Sequence, residues 1–319
     1  MLLYLILICL VVSSSAIVSF EGNKKTAYIF KIITCLLISV PAAIRYGIGA
    51  DYWSYIDMFN EIKRYGLGVT EIGYNLLNLF VANIGGDAQL VFAIMAFATV
   101  FFTFKGVQNK RWIIYAPLFL LLIYHWYFTS IRQIFAGSLA LFSWRQFQNN
   151  RKIKGITSLI CSFLFHYSAI IYPIIYFICR YIHFNRIISF FIVMTVFIIS
   201  YKYSTILYEP FLLLSGLSEH YENYAYSKWA LESDPGSGLG NLTNYTTYIV
   251  LLFCYPFYNN LKTRSYYTLL LIYICLMIIS TQITIINRLA RGIIFFLLPI
   301  IWDIVATKSQ YRKIWIIII

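Results

Sequence analysis

The 319-residue chain is 61% hydrophobic and 19% aromatic but only 12% charged, where an ordinary soluble domain carries about 25% charged residues. One core cannot hide that much apolar surface, so the composition excludes a soluble enzyme, a disordered chain and a single-anchor protein. The net charge of +13 comes in small basic clusters at the ends of apolar runs, which reads as membrane orientation and not as a nucleic-acid surface.

The fold class is therefore all-α: a polytopic integral membrane protein of about ten transmembrane helices with re-entrant or interfacial segments, forming a single transmembrane domain over 1–319. The first apolar run, 1–20, has no basic residue ahead of it and no small-residue cleavage pattern, so it reads as a retained helix with its N-terminus outside. Further crossings are predicted at 28–44, 88–104, 112–128, 133–148, 187–201, 245–258, 266–286 and 291–306, and a last run from 315 stops at 319. The stretch 72–84 is short and carries Asn75, Asn78 and Asn83, so a full crossing is doubtful. The stretch 155–179 is long enough to cross, but Phe165, His166, Tyr167 and Ser168 interrupt it and basic clusters flank both ends. It is predicted to break near His166 and return to the side it came from.

With both stretches treated as non-crossing, the inner side collects 17 of the 25 basic residues and only Glu21 and Asp303 of the acids. Two outer segments remain long enough to hold function, 45–72 and 202–244. The six cysteines lie in or beside apolar runs without CxxC spacing, so neither a disulfide frame nor a metal site follows. No repeat of 20 to 50 residues is visible, which weighs against an inverted-repeat transporter.

Four places carry residues suited to chemistry. The first outer segment reads RYGIGADYWSYIDMF from Arg45, followed by TEIGYNLLN from Thr70, offering Arg45, Asp51, Tyr52 and Glu71 at the membrane surface. Its plainer reading is an interfacial loop with an aromatic girdle. At TSIRQIFAG, from Thr129, a hydroxyl can cap a helix with Arg132 and Gln133 in its first turn, so backbone donors and a guanidinium point at one spot, as a phosphate requires. A snorkelling arginine is the alternative there. In INRLARGI, Arg288 and Arg291 lie three apart on one helix face, on the side with the fewest basic residues. The break FLFHYSA puts His166 among aromatics, either as a satisfied structural residue or as a functional one at a re-entrant tip.

In this order the pieces resemble the EpsG family of Wzy-type polysaccharide polymerases. The elements are R-x-G-x-x-DY-x-x-Y (Arg45, Gly47, Asp51, Tyr52, Tyr55), E-x-GY (Glu71, Gly73, Tyr74), RQ-x-x-A (Arg132, Gln133, Ala136) and FHYSA (Phe165 to Ala169), with a looser echo at Arg288 and Arg291. The resemblance implies a GT-C-like membrane glycosyltransferase on the outer face of a bacterial inner membrane. It would transfer a glycan from undecaprenyl pyrophosphate to a second lipid-linked repeat unit, as in O-antigen or exopolysaccharide synthesis. The implied partners are the lipid-linked donor and acceptor, membrane lipid and a chain-length regulator protein, with no cofactor, no metal and no nucleic acid. Expected substrate-binding residues are Arg45, Tyr52, Arg132, Gln133, Arg288 and Arg291. Asp51, or in second place Glu71 or His166, is expected to take the proton of the attacking hydroxyl. A lipid-linked oligosaccharide flippase, an O-antigen ligase and a membrane O-acyltransferase are the rival functions.

Overall fold

The computed structural model describes residues 2–68, 70–202, 249, 252, 261–281 and 284–306. All regular structure among them is helical. They fall into two compact units, one of 1–173 with 294–306 and one of 174–293 with 307–319.

In the first unit, α1 (Leu2–Phe20) and α2 (Lys24–Ala43) pair along their length across the turn at 21–23. The Asn23 side chain accepts the Lys25 and Thr26 amides and caps α2. Ser14 and Thr34 hydrogen-bond across the pair at 2.9 Å, both buried. Next comes α3 (Tyr52–Tyr65), a helix inside the outer segment that the sequence reading left without structure. Its buried face is Tyr52, Tyr55, Phe59 and Ile62, spaced 3, 4 and 3 apart, so one stripe docks while the charged side stays in the open. Then follow α4 (Ile72–Asn83) and α5 (Ala88–Phe104), the latter with the predicted bounds.

Residues 112–129 form one rod: α6 (Trp112–Leu118), a π-helical turn at Phe119–Ile123, and α7 (Tyr124–Thr129). Pro117 lacks the N–H that the regular ladder needs and stands just ahead of the π turn. The chain breaks at Ser130 into α8 (Ile131–Gln148), followed by α9 (Lys152–Phe165). The long stretch 155–179 is broken as expected: α9 ends at Phe165, His166 is extended with φ −160° and ψ 118°, and a 3-10 turn at Tyr167–Ile170 leads into α10 (Ile171–Tyr181).

In the second unit, α11 (Arg186–Lys202) packs on α12 (Leu261–Ile279), and α12 on α13 (Thr284–Ile293). The expected crossing at 266–286 is corrected, because α12 ends at Ile279 and a turn at 280–281 precedes α13. The one expected at 291–306 is likewise divided among α13, a 3-10 turn at Ile294–Phe296 and α14 (Leu297–Ala306). The expected crossing at 245–258 and the outer segment from 203 to 244 lie outside the described residues, apart from residues 249 and 252.

Helix pairs meet through small polar residues. Ser143 and Ser162 donate to the Gly155 and Ala136 carbonyls across the α8–α9 contact, each at 2.7 Å. Large apolar side chains face outward instead, among them Ile29, Ile32 and Leu36 of α2 and Phe190, Phe191 and Ile198 of α11. Helices polar at the seams and apolar outside suit lipid as the surrounding solvent. By length and composition, Leu2–Phe20, Lys24–Ala43 and the rod Asn109–Thr129 are each able to cross a membrane.

The approach of α4 to the end of α9 depends on Gly73, where a Cβ would sit 2.8 Å from the Leu164 carbonyl oxygen and 3.0 Å from the Phe165 ring. Alanine there is expected to lower stability by about 1–3 kcal/mol despite its better helix propensity. Gly22→Ala, with nothing within 4 Å of the new methyl, should be neutral. Thermal unfolding of both variants in detergent checks this, and equal melting temperatures would contradict it.

Candidate active site

Glu71 is the meeting point of the first unit's functional side chains. The loop that delivers it is organised by Asn75, which is buried and donates from Nδ2 to the Gly68 and Thr70 carbonyls at 2.9 and 2.8 Å, while the Thr70 hydroxyl donates back to Asn75 Oδ1. This places Glu71 at the N-terminal cap of α4, yet its carboxylate makes no capping bond to that helix. It turns instead to two other elements. Oε2 accepts from Arg132 Nη1 in the first turn of α8, and Oε1 lies 2.7 Å from His166 Nδ1 at the break after α9. Side-chain exposure is 7% for Glu71, 18% for Arg132 and 20% for His166, so the anion is the most enclosed member.

Two tyrosines that were quoted in the motifs but not taken as site residues wall the cation. The Arg132 guanidinium lies 5.4 Å from the Tyr74 ring and 5.7 Å from the Tyr55 ring, an arrangement in which ring faces offset part of the water it has lost. Their signal was spacing: Tyr55 stands one turn beyond Asp51 on α3, and Tyr74 three residues beyond Glu71. Arg132 Nε is buried without a partner among the described residues, so the guanidinium keeps a donor beyond its pair with Glu71.

Burial alone would push the Glu71 carboxyl up. The hydrogen bond from His166 and the Arg132 cation outweigh it and hold the group at about 2, below its ordinary 4.5. Because the folded-state value is the depressed one, the stabilisation from this pairing is fully present above pH 4.5 and is lost as pH falls toward about 2.

The other sequence-derived residues take different places. Arg45 is 2% exposed and donates to the Phe128 carbonyl at the end of α7, with its guanidinium 4.4 Å from the Phe92 ring. Arg45 does not pair with Asp51: the loop is pinned through Phe128, and Gly49, at φ +104°, lies against the same carbonyl. Tyr52 is buried in the core against Phe92, and Gln133 is buried on α8. Asp51 occupies the N-cap position of α3 without a side-chain capping bond and forms no ion pair among the described residues. The hydroxyl cap expected for α8 is corrected too. Ser130 holds the cap position but makes no capping bond, and Thr129 reaches back to His125 O at 3.4 Å.

Arg291 lies on α13 in the second unit, where its Nε donates to Asn287 Oδ1 at 3.2 Å. The backbone of Arg288 is on the same helix three residues earlier, and its side chain lies outside what is described.

Apolar-faced helices and a buried arginine–carboxylate–histidine cluster describe a helical membrane protein with the groups for charge and proton handling at one spot. A family model, the EpsG family, matches residues 28–319, and the chain belongs to that family, making it a polysaccharide polymerase-like membrane protein. No curated protein and no solved structure matches the sequence significantly.

Removing Glu71 would strand the buried Arg132. Glu71→Ala is expected to cost about 3–5 kcal/mol, and a second change, Arg132→Leu, should recover part of that loss because the unpaired cation goes with it. A denaturant double-mutant cycle checks the coupling, and strictly additive losses would contradict it.

Proposed function

We propose that this chain is a Wzy-type polymerase, a membrane glycosyltransferase that joins undecaprenyl-pyrophosphate-linked oligosaccharide repeat units on the outer face of a bacterial inner membrane. About ten crossings and a positive inner side would place Arg45, Glu71, Arg132 and Arg288 at the outer headgroup level. The observation that carries the proposal is the convergence of Arg132 and His166 on Glu71 from three separate motifs, inside a chain of the EpsG family.

Transfer of a glycan from a lipid diphosphate has two electrostatic demands. The leaving diphosphate develops charge, and the attacking hydroxyl must lose a proton. Arg132 answers the first, through a guanidinium preorganised by Glu71 and walled by Tyr55 and Tyr74. In the proposal Arg288 and Arg291, two cations three residues apart on α13 of the second unit, are substrate-binding residues. The second demand falls to a group beside Arg132. Membrane lipid delivers the undecaprenyl tail, and the segment 202–244 reads the sugar. Membership of the EpsG family favours the enzyme over a flippase.

In a strain that makes the lipid-linked repeat unit but lacks its polymerase, expression of this chain should convert single repeats into a ladder. Arg132→Ala should reduce the ladder by about 100-fold or more, on the scale of losing one transition-state donor. Single repeats unchanged by the well-expressed wild-type chain would contradict the proposal.

A further inference from the structure

We infer that His166 takes the proton from the attacking sugar hydroxyl at its Nε2, and that Glu71 is the positioning residue that holds its ring. The assignment rests on the glycosyl transfer proposed above and replaces the expected carboxylate base with a histidine.

The inference starts from what Glu71 has left to offer. Both of its oxygens are engaged, Oε2 by Arg132 and Oε1 by His166, and its side chain is 7% exposed. Each oxygen keeps a second lone pair, but the carboxylate is largely enclosed and leaves an incoming hydroxyl little access. The two partners also favour the ionised carboxylate, which makes it a weak proton acceptor at neutral pH. Asp51 makes no ion pair with Arg132 or His166, and the cluster member on which its charge acts is Tyr55.

The histidine has the opposite properties. A ring nitrogen 2.7 Å from an ionised carboxylate oxygen carries the proton of that hydrogen bond, so Nδ1 is the N–H and the neutral ring bears its lone pair on Nε2. Nε2 has no partner among the described residues, and the side chain keeps 20% of its exposure. The backbone on either side is fixed. The His166 amide donates to Ser162 O at 3.1 Å, and its carbonyl accepts from the Ala169 amide at 2.9 Å. Gly73 lets α4 approach the Leu164 carbonyl two residues earlier, close enough for Glu71 to reach the ring. The break in the long apolar stretch 155–179 turns the chain out of the helical course at His166, with φ −160° and ψ 118°, while its amide still closes the last turn of α9.

The step balances without a further reactant. The acceptor hydroxyl oxygen bonds to the anomeric carbon as its proton passes to Nε2, and the bond from that carbon to the diphosphate oxygen breaks with the electron pair leaving on the diphosphate. Arg132 stabilises that leaving charge, Glu71 stabilises the imidazolium, and the imidazolium then releases its proton to water.

The charged and titratable groups around the ring are Glu71 from the start of α4, Arg132 from α8, and Tyr55 and Tyr74 from α3 and α4 beside Arg132. Histidine is the one among them whose ordinary charge change lies between pH 5 and 8. The test uses the full chain in lipid nanodiscs with the lipid-linked repeat unit, following donor binding and single-turnover transfer against pH. Wild type is expected to show one acid limb, set by protonation of the base that takes the hydroxyl proton. His166→Gln should keep donor binding within about threefold, slow transfer by about 100-fold or more, and lose the limb. Glu71→Gln should slow transfer, because the anion that holds the ring is gone, and Glu71→Asp, which keeps the anion, should restore part of the rate. Transfer by His166→Gln within about threefold of wild type, or an acid limb that persists in it, would overturn the assignment. So would equal loss of donor binding and transfer in both His166→Gln and His166→Asn, which marks a structural role. Absence of transfer in the wild-type chain would instead count against the polymerase function itself.

Discussion

A carboxylate withdrawn from water has to be paid in hydrogen bonds, and the way Glu71 satisfies this requirement organises the site around it. Its two oxygens take one N–H each from elements distant in the sequence, Arg132 on α8 and His166 beyond α9. Each partner then gains something from the anion. The arginine tolerates a place between two tyrosine rings where an unpaired cation would be costly, and the histidine has its tautomer and ring direction set. The surrounding structure serves this arrangement: Asn75 shapes the loop that presents Glu71, Gly73 allows the helix behind it to approach α9, and the helix break exposes His166.

The same constraint, polar groups satisfied inside and apolar groups facing out, governs the bundle as a whole. Serines and threonines at helix seams bond to carbonyls of their own or neighbouring helices, while leucines, isoleucines and phenylalanines cover the outside. Arg45 shows how far this goes. A lone arginine beside an apolar run is expected to reach for the headgroups, but here the Phe128 carbonyl and the Phe92 ring hold it inside. It ties the start of the first functional segment to the junction of α7 and α8, one turn away from Arg132.

Much of the helical layout was legible because apolar runs and their breaks are local signals. The bounds of α5 and the interruption at His166 follow from such signals, as a polar cluster in a long apolar stretch disfavours a continuous lipid-facing helix. The helix α3 was less visible, although Tyr52, Tyr55, Phe59 and Ile62 already had helical spacing, because charged residues between them lowered the mean hydropathy to that of a loop. The residue types of the site were legible as motifs. Their connection was not: Glu71 lies 61 residues from Arg132 and 95 from His166, and no local pattern encodes contacts at that separation. The burial of the Arg45 and Tyr52 side chains and the place of Tyr55 and Tyr74 against the arginine depend on the same distant contacts.

The central claim is that Glu71 fixes the histidine as an Nδ1–H tautomer with a bare Nε2. Nitrogen-15 NMR of histidine-labelled protein in nanodiscs at neutral pH, with His166 identified by its loss in His166→Gln, reads this directly. The account predicts a protonated Nδ1 and an unprotonated Nε2, with that preference lost in Glu71→Ala. A ring protonated at Nε2 and bare at Nδ1 in the wild-type protein would contradict it.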